Sequence, residues 1–387
     1  MANSIQNQIA ETFLNIAQGL ETGSFGKRPR IAITAMGSEH GEENALKGAI
    51  EAAKAGIDVY LIGSVKHPSV ITVEVPDDEA GHKKMEEMLE NHEIDAAVTM
   101  HYPFPIGVST VGRSITPGKG KEMFIANTTG TSSTDRIEGM IKNAIYGIIA
   151  AKACGVERPT VGILNVDGAR QTEGALKELQ ANGYDFDFAT SGRADGGAVM
   201  RGNDVLTASA DVMVTDSLTG NVLSKLLSSY CTGGSYEAVG YGYGPGIGEG
   251  YDRLVMIVSR ASGAPVIANA IKYAAELVRG NVFEVAAKEF KAAKKAGLDD
   301  ILAARKAASK KDAGAAEEDV APPPKEVVTA AIAGIEVMDL EDASHALWKA
   351  GIYAESGMGC TGPIILVSEA NHGKAIEILK EAGYVSE

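Results

Sequence analysis

Residues 31–56 read IAITAMGSEHGEENALKGAIEAAKAG and contain the unit that predicts the fold. Residues 31–35 are small and apolar, which indicates a short buried strand. Residues 42–55 carry apolar side chains on one face, which is typical of an amphipathic helix, and Gly56 ends that helix. A strand that runs through a glycine turn into such a helix is the building block of a parallel sheet with helices on its faces.

Similar short apolar runs recur along the chain and are too short for helices. Helical patterns separate most of them, for example residues 171–181. We therefore expect an α/β fold, a three-layer sandwich with a mostly parallel sheet. The predicted strands are residues 31–35, 59–62, 96–100, 123–126, 161–166, 212–215 and 254–258.

The composition changes near residue 309, which predicts a domain boundary. A long helical tract is expected over residues 265–308, and alanine, charged residues and three prolines then indicate a linker at 309–324. After the linker we expect two helices, a strand at 364–367 and a helix at 372–382. The predicted organisation is a main domain at 1–308 and a small C-terminal α+β domain at 325–387.

Charge and cysteine content exclude several classes of protein. The net charge of −15 repels nucleic-acid phosphate, so no nucleic-acid partner is expected. The three cysteines are far apart and without zinc spacing, so neither a disulfide framework nor a metal site is expected. The first residues lack a signal-peptide pattern and no apolar run is long enough to span a membrane. We expect a cytoplasmic protein with no membrane partner.

Polar and glycine residues follow several predicted strands, where ligands of doubly wound sheets bind. The turn after the first strand and residues 211–221 have backbone N–H groups and hydroxyls suited to an anion, and so does the arginine-containing loop 190–197. Each segment also has an ordinary interpretation, as a strand-to-helix turn, a helix N-cap or a surface turn. The candidate residues for binding phosphate or substrate are Gly37, Ser38, His40, Ser191, Arg193, Thr219 and Asn221, with Asp216 as a candidate catalytic residue.

Two glycine-rich segments also suggest a functional site. Residues 241–250 contain too much glycine for a helix or an ordinary strand, and predict a loop near a site, such as a cover. Residues 355–363 place Cys360 among small residues before a predicted strand. A thiolate is a strong nucleophile and acyl acceptor. On chemistry alone, an inert buried cysteine is the preferred interpretation of Cys360.

Taken together, these segments resemble two related families. Residues 33–41, ITAMGSEHG, and 214–222, VTDSLTGNV, are similar to the phosphate acyltransferase of phospholipid synthesis over about the first 280 residues. The alpha subunits of component C of the glycine/sarcosine/betaine reductases resemble nearly the whole chain, including the proline linker and residues 357–363, GMGCTGP. The resemblance implies the fold of isocitrate and isopropylmalate dehydrogenases, used without a nicotinamide.

The resemblance also implies an activity and partners. Component C converts a carboxymethyl group on the selenium of component A, a selenoprotein, into an acetyl thioester, and phosphate then releases acetyl phosphate. The implied partners are the beta subunit of component C and component A in a hetero-oligomer, with inorganic phosphate as co-substrate and no other cofactor. Cys360 matches the family's cysteine segment, so the resemblance favours Cys360 as the acyl carrier. Gly359 and Thr361 would then offer oxyanion-stabilising N–H groups.

Two alternatives stay open. This chain would be a non-catalytic subunit if the thioester formed on the beta partner, and it would then supply phosphate binding and a scaffold. A nicotinamide dehydrogenase of the same fold is disfavoured because no strand–GxGxxG–helix unit is present. Ser38, Glu39 and Ser217 also depart from the lipid enzyme's pattern, so its long-chain acyl specificity is not expected here.

Overall fold

The computed structural model describes most of the chain and divides it into two compact units. Unit 1 is Met1–Leu164 with Phe186–Ala292, and unit 2 is Asn165–Asp185 with Ala293–Glu387. The predicted boundaries at 308 and 324 stay a prediction. The described residues are 12–14, 16–17, 19–20, 28–193, 196–312, 320–335, 339–359 and 362–385, without side-chain description for 306–312, 358–359 and 362–363.

Unit 1 is built on one 12-stranded sheet. Its order is β3-β2-β1-β4-β12-β11-β5-β6-β10-β7-β8, with β9 paired to β7. The strands are β1 (Arg30–Thr34), β2 (Asp58–Gly63), β3 (Ile71–Glu74), β4 (Ala96–Thr99), β5 (Val108–Ile115), β6 (Glu122–Thr131), β7 (Thr160–Leu164), β8 (Asp187–Phe188), β9 (Val199–Met200), β10 (Val212–Val214), β11 (Gly244–Ile247) and β12 (Val255–Ile257).

The sheet consists of two parallel blocks joined by antiparallel strands. Strands β1, β2, β3, β4 and β12 form one block, and β6, β7, β8, β9 and β10 form the other. Between the blocks, β11 and β5 pair antiparallel with each other and with their outer neighbours β12 and β6, so the blocks run in opposite directions. The expected α/β fold with a mostly parallel sheet is confirmed, while the dehydrogenase-like layering stays a prediction.

The helices follow the strands, as parallel connections require. Apolar residues on α1 and α7 are fully buried, including Ala45, Ala49 and Ile271. The helices are α1 (Glu42–Ala53), α2 (Asp78–Glu90), α3 (Arg136–Ala153), α4 (Ala169–Ala181), α5 (Gly202–Thr207), α6 (Ser217–Ser229), α7 (Ala264–Arg279), α8 (Val282–Lys295), α9 (Leu298–Asp312), α10 (Leu340–Lys349) and α11 (His372–Glu381).

The glycine-rich segment at 241–250 is not the loop that its composition predicts. It contains β11, all four residues of which are buried in the middle of the sheet. Glycine is required there because a Cβ at Gly244 would overlap the carbonyl oxygen of Val111, and one at Gly246 would overlap the Phe104 ring. The glycines therefore allow neighbouring backbones to approach closely inside a sheet. The interpretation of residues 241–250 as a loop that covers a site is wrong.

The helical tract expected at 265–308 is three helices. Gly280 ends α7, Asn281 has a φ of 50°, and Gly297 has a φ of 89° between α8 and α9. Positive φ is incompatible with continuing a helix, so the chain turns at both places.

Unit 2 contains a second, three-stranded sheet in the order β13-β15-β14. Its strands are β13 (Ala330–Ala333), β14 (Ala354–Gly359) and β15 (Gly362–Val367), all paired antiparallel. Ile332, Leu347 and Ile365 belong to its buried core. The expected strand at 364–367 and the expected helix at 372–382 correspond to β15 and α11. Of the two helices expected before them, the described residues contain one, α10, and the strands β13 and β14 were not predicted.

Candidate functional site

A cavity of about 380 Å³ opens in unit 1 where strands of the first parallel block end. We call it the strand-end cavity. Because β1, β4 and β12 are parallel neighbours, the residues that follow them reach the same edge of the sheet. Its lining residues are Glu39, Met100, His101, Thr129, Asn221, Lys225, Tyr243, Ile257, Val258, Ser259, Arg260 and Ala261.

The predicted turn after β1 forms one wall of this cavity through Glu39. The Glu39 N–H donates to the Arg260 carbonyl oxygen at 2.9 Å, and His40 Nε2 lies 3.3 Å from the Ala261 oxygen. Inside the turn, Gly37 has a φ of 91° and the Ser38 hydroxyl accepts from the His40 N–H at 3.2 Å. Gly37, Ser38 and His40 therefore shape the turn and tie it to the segment after β12.

Helix α6 supplies the opposite wall with Asn221 and Lys225. The helix begins at Asp216, whose Oδ1 accepts from the backbone N–H of Leu218 and of Thr219. Asn221 Nδ2 donates to the Thr128 carbonyl oxygen at 2.9 Å, which fixes the helix against β6. The predicted turn after β1 and the predicted helix start after β10 are thus brought together at one cavity.

The cations around the strand-end cavity suit an anionic ligand. Lys225 and Arg260 line it, together with His101 and one carboxylate, Glu39. Lys225 Nζ lies 5.2 Å from the centroid of the Tyr243 ring, within the range of a cation–π contact. Two cations and several hydroxyl or amide groups at strand ends can bind phosphate in spite of the negative net charge of the chain.

Asp216 faces a second cavity of about 260 Å³, the helix-start cavity. Burial raises the pKa of Asp216, but hydrogen bonds from Thr219 and the charge of Arg136 outweigh it, so the pKa lies below its ordinary value. A carboxyl with a lowered pKa is a poor proton acceptor near neutral pH. The geometry therefore favours Asp216, and Thr219 whose hydroxyl donates to it at 2.6 Å, as groups that orient α6.

The loop with Ser191 and Arg193 does not line either of these two cavities. The Ser191 hydroxyl and the Gly192 N–H both donate to Asp204, which is 3% exposed. Arg193 Nη2 donates to the Gly196 carbonyl oxygen at 2.9 Å. The Ser191 hydroxyl and the Gly192 N–H are thus taken by a carboxylate of α5, and one guanidinium donor of Arg193 is taken by the loop itself. A phosphate role for Ser191 and Arg193 stays a prediction.

The described residues contain neither a metal-binding cluster nor a membrane-spanning helix. Across the described ranges, no group of three or more His, Cys, Asp or Glu side chains is placed to hold a metal ion. Within that same part of the chain, no helix has both the length and the apolar character needed to cross a membrane.

Comparison with known proteins places the chain in a family. A family model described as "Fatty acid synthesis protein" matches residues 29–366. The glycine/sarcosine/betaine reductase complex component C subunit alpha of Peptoclostridium acidaminophilum is 62% identical over 386 residues, covering 99% of this chain and 100% of that protein. The chain belongs to the family of component C alpha subunits. The resemblance seen in the sequence is confirmed.

More distant similarities include phosphate acyltransferases. The phosphate acyltransferase of Crocosphaera subtropica is 28% identical over 248 residues, covering 52% of this chain and 68% of that protein. A solved structure, a branched-chain phosphotransacylase from Enterococcus faecalis V583, has a TM-score of 0.45 at 17% identity, covering 65% of this chain and 99% of the other.

The cysteine segment of this family member lies partly outside the described residues. Cys360 and Thr361 are not described, and Gly359 pairs with Gly362 at the ends of β14 and β15. The oxyanion role of Gly359 and Thr361 and the acyl-carrier role of Cys360 therefore stay predictions.

The two described cysteines differ in environment, which predicts different reactivity. Burial raises the pKa of the Cys154 thiol to about 12, whereas Cys231 is exposed. Because alkylation requires the thiolate, iodoacetamide at pH 8 is expected to modify Cys231 in the native chain and to leave Cys154 unmodified. Peptide mass spectrometry after a timed reaction measures both sites, and the urea-unfolded chain, where both react, is the control. Equal rates at both sites in the native chain would contradict the buried environment of Cys154.

Sequence reasoning missed several residues of the strand-end cavity. Ser259 and Arg260 follow the predicted strand at 254–258, so the strand-end rule applied to the other segments identifies them too. Lys225 lies one helical turn after Asn221 and therefore on the same side of α6. His101 was not missed: it follows the predicted strand at 96–100, which made it a site candidate, and it lines the cavity.

Proposed function

We propose that this chain binds phosphate and acyl phosphate in the strand-end cavity and takes part in acyl transfer to phosphate. The proposal rests on one observation: two cations, Lys225 and Arg260, line a cavity formed by strand ends. The family membership and the similarity to phosphate acyltransferases support the same reaction class. Nothing in this proposal requires a metal or an organic cofactor, and inorganic phosphate is the co-substrate.

The proposed step is attack of phosphate on an acetyl thioester. An oxygen of hydrogen phosphate forms a bond to the carbonyl carbon, the carbon–sulfur bond breaks, and the phosphate proton passes to the departing thiolate. The products are acetyl phosphate and a cysteine thiol, so atoms and charge balance. Arg260 would hold two phosphate oxygens with its planar fork, and Lys225 would neutralise the remaining charge.

The thioester is proposed to form on Cys360, with N–H groups of Gly359 and Thr361 stabilising the tetrahedral oxyanion. Gly37, Ser38 and His40 would keep the turn that carries Glu39 in place, and Asn221 would contact the ligand. Asp216 and Thr219 would fix the start of α6.

The proposed partners are the other components of the complex that appears in the name of the 62% identical relative. We propose that this chain is a cytoplasmic component C alpha subunit of an anaerobic glycine, sarcosine or betaine reductase. It would assemble with a beta subunit and receive its acyl group from a selenium-bound carboxymethyl group on component A, the selenoprotein. The two electrons that reduce this group to acetyl would come from the selenium and a thiol, which would be oxidised together to a selenenyl sulfide as water is lost.

Acyl trapping tests the proposal. The assembled complex is incubated with acetyl phosphate labelled in the acetyl group, denatured at acid pH to preserve thioesters, and digested. The label is expected on the peptide that contains Cys360, and a Cys231→Ser variant is expected to retain it because Cys231 is not the proposed acyl carrier. Label confined to the beta subunit, in complex that still exchanges phosphate with acetyl phosphate, would favour the scaffold alternative and exclude Cys360.

A further inference from the structure

The carboxylate of Glu237 lies behind the strand-end cavity and does not line it. Its residue is 3% exposed, although it belongs to the irregular segment between α6 and β11. A buried carboxylate is costly unless hydrogen bonds and a cation compensate it. The partners of Glu237 therefore indicate why the charge is kept there.

Three neighbours from three elements converge on this carboxylate. The Tyr243 hydroxyl donates to Oε1 at 2.7 Å, and the Ser262 hydroxyl donates to Oε2 at 2.7 Å. Lys225 Nζ lies 3.7 Å from Oε1. Lys225 comes from α6, Tyr243 precedes β11, and Ser262 belongs to the segment after β12.

The backbone of Glu237 is fixed to that last segment as well. Its N–H donates to the Ala261 carbonyl oxygen at 3.0 Å, and its own carbonyl oxygen accepts from the Gly263 N–H at 2.8 Å. The Ser262 hydroxyl oxygen also accepts from the Ser259 N–H at 3.0 Å. One buried side chain thus connects the cation on α6 with the turn that carries Ser259 and Arg260.

The distance between Lys225 Nζ and Glu237 Oε1 shows how loosely the ammonium is held. A separation of 3.7 Å is an ion pair without a close hydrogen bond, so the three N–H donors of the ammonium stay available to a ligand. The Lys225 side chain is 53% exposed, and a free lysine has considerable rotamer entropy to lose on binding. The contacts of the ammonium with Glu237 and with the Tyr243 ring restrict where it can lie.

We infer that Glu237 is a positioning residue that holds the Lys225 ammonium, and through Ser262 the Ser259 turn, in the geometry that binds a phosphate group. The inference rests on the proposed function of the strand-end cavity and names a residue that acts on that site from outside it. Preorganisation of this kind lowers the entropy cost of binding.

Two effects of removing the Glu237 charge oppose each other. Loss of a negative charge strengthens the positive potential at the cavity, whereas loss of the tether lets the ammonium move away. Because Lys225 lines the cavity and Glu237 does not, a phosphate bound there would lie closer to the lysine than to the carboxylate. The loss of position is therefore expected to dominate, and Glu237→Gln to bind phosphate more weakly.

A double-mutant cycle on the full chain tests this, with acetyl phosphate and inorganic phosphate as probes in isothermal titration calorimetry. Glu237→Gln is expected to raise the dissociation constant roughly fivefold, within the range of coupling between residues in contact. Lys225→Met is expected to raise it more. In the Lys225→Met background, the effect of Glu237→Gln should shrink to the part that passes through Ser262 and the Ser259 turn. Equal effects in both backgrounds would indicate a general structural role and overturn the inference.

Controls separate this inference from the proposed function. Glu173→Gln removes another buried carboxylate that pairs with a lysine, Lys177 at 3.4 Å, and it is expected to leave binding unchanged because neither of its cationic partners, Arg170 and Lys177, lines the cavity. If Glu237→Gln does not fold, Glu237→Asp keeps the charge one methylene farther from Lys225 and should still weaken binding. Unchanged binding by Lys225→Met would refute the phosphate site itself. Weakened binding by Lys225→Met with unchanged or tighter binding by Glu237→Gln would refute only the positioning role.

Discussion

Replacing Gly220 with alanine is expected to destabilise the chain by about 3 kcal/mol or more, the cost of severe overpacking in a close-packed interior. Gly220 is a buried residue of α6, and a Cβ built there would overlap the carbonyl oxygen of Asn127 and lie 2.9 Å from Thr215 Cγ2. The first atom belongs to the backbone of β6 and cannot rotate away. Helix and strand would have to separate, which would also break the hydrogen bond from Asn221 to the Thr128 oxygen. Urea unfolding followed by circular dichroism measures the loss.

Gly373→Ala is the matched control for this substitution. Gly373 also lies in a helix, α11, but a Cβ there meets nothing within 4 Å. That variant is expected to be as stable as the parent chain or up to about 1 kcal/mol more stable, because alanine has the higher helix propensity. If Gly220→Ala unfolds at the same urea concentration as the parent, the close approach of α6 to β6 is not as described.

Most of the main sheet could be predicted because its strands are apolar on both faces. The runs at 31–35, 59–62 and 212–215 correspond to β1, β2 and β10, and all three are largely buried. Strand β11 could not be predicted in this way, since Gly244 and Gly246 carry no side chain whose polarity could signal burial. Their role is set by Val111 and Phe104, which are distant in sequence, so it becomes visible only when the strands are paired.

The candidate site was predictable to the extent that it follows the strand-end rule. That rule identified the turn that contains Gly37 and the first turns of α6, which contain Asn221. These two segments meet at one cavity. The rule could not distinguish them from the loop at Arg193, because all three combine glycine with hydroxyl and charged side chains. The difference is tertiary: Asp204 uses the donors of that loop, and this carboxylate lies 13 residues from Ser191 in sequence.

Replacing Arg260 with alanine is expected to lower kcat/KM for acetyl phosphate in phosphate exchange by about 10² to 10³, the usual loss when one preorganised charged or polar donor is removed from a developing anion. Arg260 lines the strand-end cavity, and the Glu39 N–H holds its carbonyl oxygen at 2.9 Å. Only an arginine presents two parallel N–H donors to two phosphate oxygens. Arg260→Lys keeps the charge without the fork and is therefore expected to recover only part of the activity.

The assembled complex is assayed for exchange of labelled phosphate into acetyl phosphate at several substrate concentrations, so that kcat and KM are separated. Arg158→Ala is the control, because Arg158 pairs with Asp187 at an exposed position and is absent from the cavity lining. It removes the same positive charge and is expected to change kcat/KM by less than about twofold, since a charge that does not contact the ligand is screened by water and salt. Full recovery by Arg260→Lys would mean that a point charge suffices and that the bidentate geometry is irrelevant. A loss in Arg158→Ala as large as in Arg260→Ala would mean that the total charge of the chain, and not the strand-end cavity, governs phosphate binding.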